Sequence, residues 1–340
     1  MRSQGGAGAL ARELIAESSR EMINGRELRR PTAVVIRAGT AGGLPFDSLT
    51  TDLFLGCLPA TQICYGTCFA ARGAFSAGYD FGVRVENILD AALLTSDLRA
   101  LPADQRFLRN GWNSDPSWSW PKALTLASLI RQSGRCTVFI TKHFRPIDPK
   151  TLAGLVEAGT ELRVSVSALD TDGQLRQRLD GLLAFRGAGG VAVPVVMTTT
   201  FADRQLRGRQ DDLVAWVTEH DLPGAENSLR TPPASPVSRL LDLDQVRVLQ
   251  GSGDLWAGRL YGAQLPVPTI TSVPAQYAGL PWRHRSAIDT AQLEAWRQDP
   301  VPTNEEVLSG TPRAKPRQCG VARTWPGEPS RPRQEEPQDA

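Results

Sequence analysis

Three of the five cysteines, Cys57, Cys64 and Cys68, fall within a dozen residues of one another, and few architectures accommodate that. They sit in a stretch from Gly56 to Ala70, punctuated by Pro59 and Gly66, directly after the short apolar run Asp52-Leu53-Phe54-Leu55. A structural zinc site closes its tetrahedron with four protein ligands, whereas an iron–sulfur cubane held by three cysteines leaves one iron open. Three neighbouring thiolates without a fourth therefore point to an open metal site on a strand-end loop. Five cysteines in 340 residues are few and odd in number, which argues against a disulfide scaffold and for metal or redox use.

The rest of the chain reads as a scaffold for that loop. Residues 1–30 form a polar N-terminal arm with a short helix expected around Leu10 to Met22. Thr32 to Arg37 is β-branched and short enough for a strand. Phe69 to Gly73 reads as one helical turn ended by glycine, and Val85, Ile88, Leu89, Ala92 and Leu93 recur at helical spacing. Strands are then expected at Arg106–Arg109, Thr137–Thr141, Leu162–Ser167 and Val191–Thr200. Helices are expected after Pro121, after the Asp148-Pro149 cap and before Gly159, across Leu175 to Phe185, and across Asp211 to Glu219. Weaker strand signals lie at Gln245 to Leu249 and Val267 to Thr271. This alternation predicts an α/β fold, a partial or complete (β/α) barrel spanning residues 31–298, with a disordered Pro- and Arg-rich tail over 299–340. In such a barrel the strand ends share one face, where active sites sit. Asn113, Ser114, Asp115, Lys142, Ser165 and Ser167 all fall at predicted strand ends.

Composition narrows the partners. Hydrophobic content of 41%, charged content of 22% and a formal net charge of +2 give no global pull toward nucleic acid or anionic membrane. No apolar run approaches the roughly 20 residues of a membrane span, and the first residues lack a signal-peptide core, so a cytoplasmic protein is expected. There is no phosphate-cradling Gly-x-x-x-x-Gly-Lys-Ser/Thr motif and no Gly-x-Ser-x-Gly elbow.

The run from Cys57 to Gly73, with its Cys-aromatic-Ala segment followed by Arg72 and Gly73, resembles the cysteine region of radical-SAM-like proteins of the phage- and actinobacteria-associated type. Arg84, Glu86-Asn87, Asn113-Ser114-Asp115 and Ile140-Thr141-Lys142 follow in the order of that family's barrel, and the resemblance covers roughly residues 50–200. The cysteines are separated by six and then three residues, wider than the commonest radical SAM spacing. The resemblance implies a [4Fe–4S] cluster on Cys57, Cys64 and Cys68, with S-adenosylmethionine on the open iron. Reductive cleavage would yield a 5′-deoxyadenosyl radical that takes a substrate hydrogen, and a flavodoxin or ferredoxin would donate the electron. Asp115, with Asn113 and Ser114, is then placed for the cofactor's ammonium, Lys142 for its carboxylate or a substrate acid, and Ser165 with Ser167 for ribose hydroxyls. The substrate, small molecule or peptide, has no signature here.

Each of these residues also has a plainer reading. Asp115 precedes Pro116 and suits a cap; Ser165 and Ser167 fit simple strand alternation; Lys142 suits a solvated lysine. Trp112, Trp118 and Trp120 either line a pocket or pack. The alternative for the whole chain is a zinc-stabilised, non-catalytic protein, with His143 as fourth ligand ahead of His220 and His284. It would touch nucleic acid through Arg204–Arg209 and Arg313–Arg333. A third is an iron–sulfur protein that only transfers electrons. Cys136 reads as core and Cys319 as an exposed tail thiol.

Overall fold

The structure, a computed structural model, describes residues 6–38, 51–57, 64–101, 107–249 and 252–265, with the backbone of 267–268. Expectations for the 299–340 tail, and with it Cys319 and the Arg313–Arg333 run, lie outside these residues, as does His284.

Strands β3 (Phe107–Asn110), β4 (Cys136–Thr141), β5 (Glu161–Ser167), β6 (Val191–Thr198) and β7 (Ala225–Ser228) stand side by side in sequence order and run parallel. Helices α4 (Trp120–Gln132), α5 (Pro149–Glu157), α6 (Asp172–Gly187) and α7 (Arg204–Glu219) link successive strands from β3 to β7. Parallel neighbours joined by right-handed crossovers place all their helices on one side and curl the sheet. Among the described residues the outcome is a six-stranded partial (β/α) barrel, with Val267–Pro268 pairing against β7. The rest of the Val267 to Thr271 expectation lies outside the described residues.

Period-two alternation sorts the strand side chains. Phe139, Leu162, Val164, Val166 and Val196 are fully buried in the core with Leu126, Ile130, Leu155, Leu175 and Leu182 of the helices. Side chains of the opposite parity, Arg109, Arg163, Ser165 and Ser167, face the concave side. Caps fix the helix starts: Asp148 accepts from the Thr151 N–H ahead of α5, and Thr171 and Gln174 form a capping box at α6.

The first hundred residues depart from the reading above. Helix α1 (Gly6–Ile23) contains the expected Leu10–Met22 helix and is anchored, burying Ala11, Leu14 and Ile15 beside the 3-10 turn Pro236–Leu240. Thr32–Arg37 is not a strand: it makes one isolated bridge, Val35 to Ile88. Helix α2 (Phe69–Ser76) runs through Gly73, where an added Cβ would meet open space, because Ala70, Ala71, Ala74 and Phe75 bury its face. The helical spacing from Val85 misleads too. Val85–Glu86 is strand β2, antiparallel to β1 (Phe54–Leu55), and helix α3 (Ala91–Ala100) waits for its Asp90 cap. Within Gln245–Leu249, β8 (Arg247–Val248) pairs with β9 (Leu255–Trp256), outside the main sheet.

Candidate metal and cofactor site

Two hydrogen-bond systems bring the cysteine loop to the carboxyl ends of the strands. Thr51 donates its N–H to the Arg109 carbonyl at 2.8 Å, seating the chain before β1 along β3. Asp52 then accepts the N–H groups of Gly111, Trp112 and Asn113 at 2.8, 2.9 and 2.8 Å. Burial pushes the Asp52 carboxyl up and these three bonds pull it back. The chain that enters the cysteine loop is thereby fastened to the loop that carries the predicted Asn113 to Asp115 set.

Cys57 follows β1, donates its N–H to the Phe81 carbonyl and is 5% exposed. Cys64 begins a turn in which Tyr65 and Gly66 take φ of 61° and 66°. A Cβ at Gly66 would come within 2.8 Å of Ser18, so the turn requires glycine there. Cys68 is the N-cap of α2, and the N–H groups of Ala71 and Ala70 favour its anion. Cys57, Cys64 and Cys68 pack in one cluster with Ala70, Phe75 and Phe81.

Burial is the dominant influence on all three thiols and raises every one, Cys64 to about 12 and Cys57 further. Repulsion from Cys64 and Cys68 raises Cys57 further, and repulsion from Cys68 raises Cys64, which marks them as neighbours. Against this work the Trp118 indole at Cys57, and Lys142 at both Cys64 and Cys68. Buried thiols of this kind ionise when a metal supplies compensating charge. Among the described residues no three His, Cys, Asp or Glu side chains converge closely enough to hold a single metal ion. A cubane asks less, because its cysteines bind different irons.

The predicted polar residues divide sharply. Asp115 is 5% exposed and caps the 3-10 turn Pro116–Ser119. Its carboxylate accepts from the Ser117 N–H and hydroxyl, the Thr141 hydroxyl and the Lys142 N–H. The capping reading thus describes its contacts, and it ties the end of β3 to the end of β4. Ser167 is engaged as well: its hydroxyl accepts from Leu169 N–H at the end of β5. Ser165 is partly exposed on the concave face. Asn113 uses its N–H on Asp52, while the Ser114 hydroxyl is enclosed and has no hydrogen-bond partner among the described residues.

Lys142 is the least satisfied of the set. Its Nζ is enclosed, has no hydrogen-bond partner among the described residues, and stands 3.1 Å from the centroid of the Tyr65 ring. Burial lowers it to about 8, with Asp170, Cys64 and Cys68 acting in the opposite direction. The solvated-lysine reading fails. Three residues that the sequence did not single out frame this cation. Tyr65 donates its hydroxyl to Asp170 at 3.3 Å, Asp170 pairs with Arg178, and Arg178 Nε donates to the Lys142 carbonyl at 2.6 Å. The Asp after a strand end was a visible cue for Asp170, but nothing local announces Arg178 on α6.

His143 does not join the cysteines. It takes φ of 52° and its ring packs on Trp120, and a Cβ at Gly181 would lie 2.6 Å from its Nε2. Burial lowers its pKa to about 4. Trp120 is a core residue, edge-on to Phe139 with its N–H on the Arg145 carbonyl, so the pocket reading fails for it. Trp112 instead meets Phe69, 46% exposed, at 4.4 Å beside Cys68. Arg204–Arg209 forms the first turns of α7. A groove between α6 and α7, lined by Leu169, Leu206, Arg209 and Trp216, includes none of the predicted site residues.

No family model matches this chain, and neither does any curated protein sequence. Among solved structures the chain is similar to a spore photoproduct lyase variant with dinucleoside spore photoproduct. That pair is 14% identical, covers 69% of this chain and 74% of the other, and has a TM-score of 0.46. It is also similar to methylornithine synthase, at 10% identity over 71% of this chain and 65% of the other, with a TM-score of 0.35. Among the described residues no helix is long and apolar enough to cross a membrane.

Proposed function

We propose that this chain is a radical S-adenosylmethionine enzyme whose [4Fe–4S] cluster is held by Cys57, Cys64 and Cys68. The observation that carries this is the enclosed Lys142 ammonium, without a hydrogen-bond partner among the described residues, beside two of three clustered cysteines at the strand ends of a partial (β/α) barrel. A buried cation of that kind is costly unless an anionic ligand completes it. A bare electron carrier or a structural zinc clip has no use for it, and His143 faces Gly181 instead of the thiols.

When bound, cluster and S-adenosylmethionine supply one-electron chemistry that ends in hydrogen abstraction from a substrate. The chain's own residues hold and orient. Lys142 would meet the cofactor's carboxylate, Ser114 and Asn113 would add neutral hydrogen bonds, and Ser165 on the concave face would meet the ribose. Asp115 acts one step back, fixing the Lys142 backbone and the turn after Ser114. Ser167 likewise shapes the β5 end. Phe69 and Trp112 shield the mouth from water.

The test is anaerobic reconstitution with iron and sulfide, then dithionite and S-adenosylmethionine, with 5′-deoxyadenosine measured. Product that disappears in Cys64→Ala supports the reading. A full cluster without product leaves only electron transfer and overturns it.

A further inference from the structure

Tyr65 stands between Cys64 and the Gly66 turn, is 3% exposed, and meets the charged groups behind the cysteines from two sides. The Lys142 ammonium lies 3.1 Å from the centroid of its ring. Its hydroxyl donates to Asp170 Oδ2 at 3.3 Å, an oxygen that also accepts the Ser167 N–H at 2.8 Å and pairs with Arg178. The phenol is thus fixed at its far end while its face carries the cation. The Lys142 backbone is clamped separately. Its N–H donates to Asp115 and its carbonyl accepts from Arg178 Nε, both at 2.6 Å. The next carbonyl, that of His143, accepts from Gln177 at 2.6 Å. Arg209 of α7 holds the Asp170 carbonyl at 2.7 Å. Asp115, Arg178 and Gln177 therefore fix where the Lys142 side chain starts, and Tyr65 is where it ends. Tyr65 also belongs to the apolar cluster of Leu14, Leu169 and Phe201, which any bulky apolar residue would fill. The anchored hydroxyl and the cation on the ring are what packing does not require.

We infer that Tyr65 is a positioning residue for the cofactor's carboxylate: its ring seats the Lys142 ammonium, and its hydroxyl, held by the Asp170–Arg178 pair, keeps the ring in place. The loop that carries Cys64 thereby also sets the cation that the carboxylate meets. This rests on the reading above that Lys142 takes the carboxylate of S-adenosylmethionine. A ring face suits the task because it attracts an ammonium without neutralising it, so the charge stays available to an incoming anion. A carboxylate in the same place would compete with the ligand for that charge. No bond is made or broken by Tyr65, and it acts on the cofactor only through Lys142.

The experiment is a double-mutant cycle on the full chain with reconstituted cluster and S-adenosylmethionine as the probe. Affinity is read by calorimetry beside the iron count, for Tyr65→Leu and Tyr65→Phe, each in the wild-type and the Lys142→Met backgrounds. With Lys142 present, Tyr65→Leu should weaken binding about tenfold and Tyr65→Phe, which keeps the ring, about threefold. With Lys142→Met, both Tyr65 changes should leave the affinity where Lys142→Met alone puts it. Equal losses in the two backgrounds mean general damage to the cysteine loop and overturn the positioning role alone. So does unchanged affinity in both Tyr65 variants. Should Tyr65→Leu load no cluster, Tyr65→Phe decides by the same comparison. Full affinity in Lys142→Met, or an iron count near zero in wild type, overturns the cofactor reading and this inference with it.

Discussion

Asp115 and Ser114 are consecutive in the chain, and the fold treats them in opposite ways. The Asp115 carboxylate meets four protein donors, while the Ser114 hydroxyl, equally enclosed, meets none among the described residues. The same division separates Asp52, with three backbone N–H groups, from the Lys142 ammonium. Groups that build the strand-end loops are completed by the protein. The Ser114 hydroxyl and the Lys142 ammonium, the latter beside Cys64 and Cys68, are not completed by any described residue. Buried polar atoms in native proteins are nearly all bonded, so these two exceptions are what the proposed cofactor would complete.

The contrast breaks first at Asp115. Asp115→Ala removes the acceptor for three hydrogen-bonding residues on two loops, and the metal-free protein should lose about 3–5 kcal/mol in urea denaturation. A loss below about 1 kcal/mol would mean that the loops are held by other means.

Lys142 sharpens it by sign. With its value lowered to about 8, the folded chain has shed a proton that the unfolded chain keeps until about 10.4, so this group's contribution to stability rises with pH across that window. The three raised thiols run the other way: the stability they contribute is full below about 8.5 and is lost as pH climbs toward their folded values. In metal-free Lys142→Met the rising part disappears. The variant should be more stable than wild type at pH 7.5, by about 1–3 kcal/mol, and fall more steeply toward pH 10. Parallel curves for the two proteins would contradict an enclosed ammonium.

Ser114→Ala is the smallest change and the most telling beside Asp115→Ala. Removing an enclosed hydroxyl with no partner should leave the urea midpoint within about 0.5 kcal/mol of wild type. Calorimetric affinity for S-adenosylmethionine in the cluster-loaded protein should drop severalfold.

How much of this the sequence carried follows the range of the interactions. Strands β4 to β6 and the Asp148 cap were legible, because β-branched runs and capping residues act within a few positions. The region before β3 was misread, because two-residue strands such as β1 and β2 owe their existence to each other and leave no period of their own. The cysteine loop and Lys142 announced themselves by residue type and by position at strand ends. Arg178 did not: its role depends on Asp170 and the Lys142 carbonyl, the latter 36 positions away. His143 looked like a ligand by residue type alone, and the glycine that admits its ring, Gly181, lies far along the chain on α6.

The most direct measurement is the electron paramagnetic resonance spectrum of the reconstituted, reduced protein with and without S-adenosylmethionine, beside iron and sulfide analysis. The account predicts about four irons and four sulfides per chain, and a cluster signal that shifts when S-adenosylmethionine is added to wild type but not to Cys64→Ala. One zinc and no sulfide, or a cluster signal indifferent to S-adenosylmethionine, would contradict it.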